Sequence, residues 1–187
     1  MKSVLVFLAD GFEEVEALTV VDLLRRADFD VKTVSISDSL TVRGRSRIEV
    51  SADQMWDEAE TDRADMLVLP GGMPGTTYLM NHEGLRAALQ KAAKEKRYTA
   101  AICAAPTVLA DLGLLDGRKA TCYPGLESRL KEHGASVTVD KEVVKDGHVI
   151  TSRGAGTAVP FALKLIDALA DSEAAESVRR GIVYRMS

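Results

Sequence analysis

The strongest constraint on this chain is a set of short apolar runs that end abruptly in turn residues and hand over to amphipathic helices. Val4–Ala9 (VLVFLA) is continuously apolar, as expected of a strand covered on both faces. Asp10-Gly11-Phe12 then turns the chain into a helix predicted over Glu13–Ala27. Val15, Leu18, Val21 and Leu24 are among its apolar positions, with acidic residues at its start and Arg25-Arg26 near its end. That order of charges suits the helix macrodipole. Asp30–Ile36 alternates as a second strand, and a βαβ opening implies a parallel sheet with a right-handed crossover.

The pattern continues down the chain. Thr41–Asp53 reads as an irregular, hairpin-like excursion carrying Arg43, Arg45, Arg47 and Glu49. Met66–Leu69 is a third core strand, ending in Pro70-Gly71-Gly72-Met73-Pro74-Gly75. Glu83–Lys96 is an amphipathic helix, with Leu85 and Leu89 four residues apart. Thr99–Ile102 is the next strand and runs into Cys103, after which a helix extends to about Leu112. Arg118–Cys122 reads as a short strand, Leu126–His133 as a helix capped by Gly134, and Val137–Val144 with His148–Ser152 as a hairpin turned at Asp-Gly. Ala158–Ala170 and Ser172–Arg180 are predicted as closing helices. Strands alternating with helices give one doubly wound α/β domain over residues 1–187, with a mostly parallel sheet and helices on both faces.

Composition excludes several classes of function. A net charge of −4 argues against a nucleic-acid or anionic-membrane partner, which would need a basic face. The opening apolar run of six residues, Val4–Ala9, is too short for a signal-peptide core or a membrane span. Two cysteines, Cys103 and Cys122, form neither a disulfide framework nor a metal-ligand pattern, so the expectation is a cytoplasmic protein with reduced thiols and no metal or cofactor.

In doubly wound folds, ligands bind beyond the carboxyl ends of the strands. The residues placed there are Asp10–Glu16, the Gly71-Gly72 loop, Cys103-Ala104 and Arg153-Gly154. Cys103 stands at a strand-to-helix junction resembling a nucleophile elbow without its flanking glycines. There the helix N–H groups would favour a thiolate; a buried, inert thiol is the plainer alternative. The Gly72 and Ala104 N–H groups could bracket a carbonyl oxygen as an oxyanion site, although a tight turn explains the glycines equally well. Glu13, Glu14 and Glu16 are either solvated charges at a helix start or include one desolvated acid facing Cys103, and periodicity does not choose among them. None of His82, His133 and His148 directly follows a core strand, which argues against a cysteine–histidine hydrolase. Cys122 reads as a packed core thiol.

Four segments, GFEEVE, VLPGG, AAICAAPTVLA and KDG…ITSRGAGTA, in this order and spacing, resemble the ThiJ/PfpI superfamily. The similarity lies nearest its parkinsonism-associated protein deglycase (DJ-one) branch and covers nearly the whole chain. The resemblance implies a flavodoxin-like, class I glutamine amidotransferase-like domain and a homodimer. By the same resemblance, Cys103 is an oxidisable nucleophile, Glu16 the protonated acid bonded to its sulfur, and Gly72 and Ala104 the oxyanion donors. Gly71 and Tyr123 line the pocket. Arg47 corresponds to a pocket arginine reaching over from a partner subunit, and Glu13, Arg25 and Arg26 to dimer-associated residues. Two departures stand out: Ala104 replaces the histidine that follows the cysteine in peptidase-like members, and Tyr123 replaces a pocket histidine, leaving acid–base work to Glu16 or water.

The activity so implied is cysteine-dependent, glutathione- and metal-independent conversion of α-oxoaldehydes such as methylglyoxal to hydroxy acids, a glyoxalase III-type reaction. Deglycation of protein adducts would use the same residues. The alternative is a non-enzymatic sensor or chaperone of oxidative stress built on Cys103. Thiazole-phosphate biosynthesis, an older family label, finds no phosphate-binding motif.

Overall fold

A computed structural model describes residues 1–185. The first strand, β1 (Ser3–Leu8), is buried on both faces beyond its first residue, which is why its sequence is apolar without alternation. It leads into α1 (Glu14–Arg26) and β2 (Asp30–Ser35). The arginine-rich excursion forms an antiparallel pair, β3 (Thr41–Arg43) with β4 (Glu49–Ser51), followed by the short edge strand β5 (Gln54–Met55). Next come β6 (Met66–Leu69), α2 (Gly75–Asn81), α3 (Glu83–Lys94), β7 (Tyr98–Ile102) and α4 (Pro106–Asp111). The last third contains β8 (Lys119–Ala120), α5 (Glu127–Glu132), β9 (Ser136–Val137), β10 (Val143–Asp146), β11 (Val149–Ser152), α6 (Ala158–Leu169) and α7 (Ser172–Gly181).

The central sheet runs β10-β11-β7-β6-β1-β2-β5. It is parallel except where β10 pairs antiparallel with β11. From β1 the chain moves outward to β2, then crosses back to place β6 on the other side. The order therefore reverses at the β1–β6 boundary, and a crevice opens beyond the carboxyl ends of those strands. One face of the sheet is covered by α1, α6 and α7, through Val20, Leu24, Phe161, Leu165 and Val178. The other is covered by α2 to α5, through Leu79, Leu85, Leu89, Leu109 and Leu130. No described helix is long and apolar enough to cross a membrane.

Two expected strands need correction, and two further features were not foreseen. The predicted strand Val137–Val144 divides: β9 leaves the main sheet to pair with β8, and only β10 forms the hairpin, whose two-residue turn is Gly147-His148. Gly147 has φ +59°, the left-handed conformation that glycine adopts without strain. The strand foreseen at Arg118–Cys122 contracts to β8 for the same reason: its partner is only two residues long. The helix α2 was hidden among turn-forming residues; its first turn is held by Thr76, whose N–H and hydroxyl both donate to the Gly72 carbonyl, each at 2.9 Å. Lastly, Val15 and Leu18 do not enter the core. They are 50% and 38% exposed, because α1 buries the row containing Glu16, Ala17, Val20 and Leu24 instead.

Candidate active site

Strand β7 delivers Cys103 to the crevice in an unusual backbone conformation, φ +65°, a region costly for a residue carrying a Cβ. Neighbouring chain holds it there. The Cys103 N–H donates to the Ser152 carbonyl at 3.0 Å, and its own carbonyl accepts from the Tyr123 N–H at 2.8 Å. The turn into α4 is closed by the Ala105 N–H on the Ile102 carbonyl at 3.1 Å and by the Thr107 hydroxyl on the Ala104 carbonyl at 2.7 Å. Pro106 occupies the first position of α4, where its missing N–H costs nothing. The elbow is thus built without glycines at Cys103, by hydrogen bonds from β11 and from the segment after β8.

The opposite wall is Glu16, in the first turn of α1 and 1% exposed. Its Oε2 accepts the Gly71 N–H at 2.8 Å, and its carboxyl group is hydrogen-bonded to the Cys103 thiol. Gly71 is required by space: a Cβ there would lie 2.6 Å from the Cys103 Cβ and 2.7 Å from Glu16 Oε2. Gly72 is required by both space and conformation, since φ is +91° and a Cβ would meet the Gly11 carbonyl oxygen and the Glu13 nitrogen at 2.4 Å. The two glycines let the loop after β6 pass between α1 and the elbow. The N–H groups of Gly72 and Ala104 lie beside the Cys103 sulfur and stabilise negative charge there, where they could also donate to an oxyanion on a carbon attacked by that sulfur.

Burial controls the protonation of this pair. It raises Glu16 to about 7; the Gly71 N–H and the thiol pull the other way, and Glu13 pushes up further. It also pushes Cys103 up to about 12, with the negative charge of Glu16 as the next cause, against the lowering effect of the Ala104 and Gly72 N–H groups. The expectation that a helix end would depress the thiol is therefore corrected. The helix is only one and a half turns long, and desolvation beside a carboxylate outweighs its dipole. Both groups therefore hold their protons to higher pH than a free carboxyl or thiol does, and they titrate as a coupled pair.

Tyr123 borders the site, 51% exposed, with its ring 3.4 Å from where a Cβ of Gly154 would stand. The structure thus brings Cys103, Glu16, Gly71, Gly72, Ala104 and Tyr123 together. Glu13 lies one layer out, its N–H on the Gly71 carbonyl at 2.9 Å and its carboxylate 3.2 Å from Arg45. Arg47 does not reach Cys103 within the chain; it sits exposed in the β3–β4 turn, in a surface hollow shared with Arg43 and Tyr78. Arg25 ties α1 to the sheet edge, through the Val31 carbonyl at 2.9 Å and Asp53 at 2.7 Å, while Arg26 pairs with Asp22 on the surface. Sequence reasoning missed the Ser152 carbonyl as an anchor of Cys103, since backbone partners leave no mark in residue type. Each histidine is occupied elsewhere: His82 accepts from Leu85 at the start of α3, His133 bonds the Arg129 carbonyl and His148 packs on Tyr98. Cys122 is buried in the core. Among the described residues no three metal-ligating side chains converge.

The raised Glu16 pKa has a stability consequence with a definite sign. The folded state binds this proton more tightly than the unfolded chain does, so the contribution is full below about pH 4.5 and is lost as pH rises through about 7. A shift of that size corresponds to about 3 kcal/mol. Urea unfolding of Glu16→Gln across this interval should lack that decline, and an unchanged pH profile would refute the buried-acid assignment.

The chain also has recognisable relatives. It is 38% identical to protein dj-1beta of Drosophila melanogaster over 182 residues, covering 97% of each chain. It is 33% identical to a deglycase of Pyrococcus abyssi, over 82% of this chain and 90% of that one. Among solved structures, oxidised DJ-1 of Toxoplasma gondii superposes with a TM-score of 0.94 at 34% identity over the whole of both chains. The DJ-1/PfpI family model matches residues 2–168, and the chain accordingly belongs to the DJ-1/PfpI family.

Proposed function

We propose that the protein converts α-oxoaldehydes such as methylglyoxal to hydroxy acids at Cys103, without glutathione, metal or cofactor. The observation that carries this reading is Glu16, buried against the partly buried Cys103 thiol with its pKa raised to about 7, beside the backbone N–H groups of Gly72 and Ala104. In the first step the Cys103 proton passes to Glu16 as the sulfur attacks the aldehyde carbon. The new alkoxide, facing the Gly72 and Ala104 N–H groups, takes that proton from Glu16 to give a hemithioacetal. Glu16 as carboxylate then removes the proton from that carbon and returns it to the neighbouring one, through an enediol, leaving a thioester of the hydroxy acid. Water cleaves the thioester, releasing the acid and restoring the thiol, so that the aldehyde and one water become one hydroxy acid. An acid tuned to about 7 suits both halves of this shuttle. Deglycation would begin from the same adduct already attached to a protein side chain, and a relative named a deglycase supports that variant.

An oxidative-stress role uses the same sulfur. Cys103 is only partly buried, and a relative has been solved in oxidised form. Two equivalents of peroxide would carry the thiol to a sulfinic acid, releasing two waters, with a protonated Glu16 donating to the product. A homodimer is the assembly we propose, supported by the exposed apolar side chains of Val15 and Leu18 on α1 and of Ile48 in the β3–β4 turn, which a second copy would cover.

Three measurements test these readings. Lactate formation from methylglyoxal in metal-free buffer should vanish in Cys103→Ala and fall by about two to four orders of magnitude in Glu16→Gln; undiminished activity in Cys103→Ala sinks the enzyme reading. Mass spectrometry after mild peroxide should find oxygen added at Cys103, and modification of Cys122 alone would remove the sensor reading. Analytical ultracentrifugation should give a dimer for the wild type and a monomer for Leu18→Glu; a wild-type monomer refutes the assembly.

A further inference from the structure

The backbone of Cys103 is anchored from the last strand of the sheet. Its N–H donates to the Ser152 carbonyl at 3.0 Å, and Ser152 is the final residue of β11, where the chain leaves the sheet. The loop that follows, Arg153-Gly154-Ala155-Gly156-Thr157, contains two glycines and has little stiffness of its own. A carbonyl at the root of such a loop keeps its place only if the loop is fastened.

One side-chain oxygen fastens it. Thr157 Oγ1 accepts the Arg153 N–H at 3.3 Å and the Gly154 N–H at 3.1 Å. It also lies 2.7 Å from Ser152 Oγ and 2.9 Å from the Gly154 carbonyl oxygen. The Ser152 hydroxyl, fully buried, donates in turn to the Glu142 carbonyl at 2.7 Å, which joins the loop to the residue before β10. The same loop walls the crevice. Gly154 is buried, and the site of its absent Cβ is 3.4 Å from the Tyr123 ring and 4.0 Å from Glu16 Oε1. Displacing Gly154 would admit water to Glu16. Displacing Ser152 would free Cys103 from φ +65°, a conformation that persists only while its surroundings impose it.

We infer that Thr157 is a positioning residue for Cys103, its hydroxyl locking the loop after β11 so that the Ser152 carbonyl and Gly154 hold the thiol against a sealed Glu16. The hydrogen bonds of that hydroxyl all end on Ser152, Arg153 and Gly154, so Thr157 acts through the backbone and not on the reacting atoms.

The inference rests on Cys103 being the reacting sulfur, and its first readout needs no turnover. Alkylation of Cys103 by iodoacetamide is followed against pH in the wild type, in Thr157→Val, which keeps the shape without the hydroxyl, and in Thr157→Ser, which restores it. Burial and the charge on Glu16 hold the thiol pKa up. Releasing the thiol in Thr157→Val should therefore raise its alkylation rate at pH 8 by about tenfold or more, since one pKa unit is a factor of ten in thiolate. Thr157→Ser should return the wild-type profile. Cys122, buried in the core, should stay unmodified throughout, whereas unfolding would expose both thiols. Methylglyoxal turnover by Thr157→Val should fall about a hundredfold, through kcat and not KM. A wild type without that turnover would refute the function proposed above and not this assignment, which alkylation decides alone. Should Thr157→Val fail to fold, hydrogen exchange of the wild type decides: the Cys103, Arg153 and Gly154 amides should open as one unit with a common free energy. An unchanged alkylation profile in Thr157→Val, no rescue by Thr157→Ser, modification of Cys103 only together with Cys122, or separate opening of the three amides would overturn the proposal.

Discussion

A carboxyl group sealed between a thiol, a glycine N–H and the sheet edge must keep its proton or be surrounded by donors. Glu16 has one backbone donor, from Gly71, and the Cys103 thiol. Everything else in the crevice is arranged around that shortage. The loop after β6 must bring the Gly71 N–H within 2.8 Å of Oε2, which forces it so close to the elbow that no Cβ fits. The elbow must hold Cys103 at φ +65°, which is sustained by hydrogen bonds from Ser152 and Tyr123 on flanking segments.

This economy of donors explains why the pair is chemically poised. Glu16 raises the proton affinity of Cys103 through its charge, while its own is raised by burial against the opposing pull of the thiol. A proton leaving sulfur has a nearby acceptor, and the negative charge left on sulfur has two backbone N–H groups. The histidines are all committed to structure elsewhere. The acid–base capacity beside Cys103 thus resides in one carboxyl group.

How much of this the sequence disclosed depends on whether a feature is written in residue type or in packing. Val4–Ala9 and Met66–Leu69 disclosed core strands because burial on both faces demands unbroken apolar side chains. The α2 helix stayed hidden because Pro74, Gly75, Thr76 and Thr77 form turns as readily as helices, and a tertiary hydrogen bond to Gly72 decides the outcome. Strand β9 stayed hidden because two residues carry no period. Helix α1 was silent in a more informative way: its apolar Val15 and Leu18 face outward while Glu16 faces in, so residue type alone could not mark the buried row.

The order of elements, the parallel sheet, and a thiol at the end of a central strand were fixed by the linear pattern, because strand and helix periods and punctuating glycines act locally. Motif resemblance then distinguished Glu16 from Glu13 and Glu14, which periodicity had left equivalent. Only the tertiary structure decided the state of the dyad. A helix terminus read in isolation argues for a lowered thiol pKa, whereas in the folded chain both groups are pushed upward. The physical reason is that desolvation and Coulomb interaction depend on what surrounds a group in space, and the loop, helix and strand that surround Cys103 come from three separate parts of the chain.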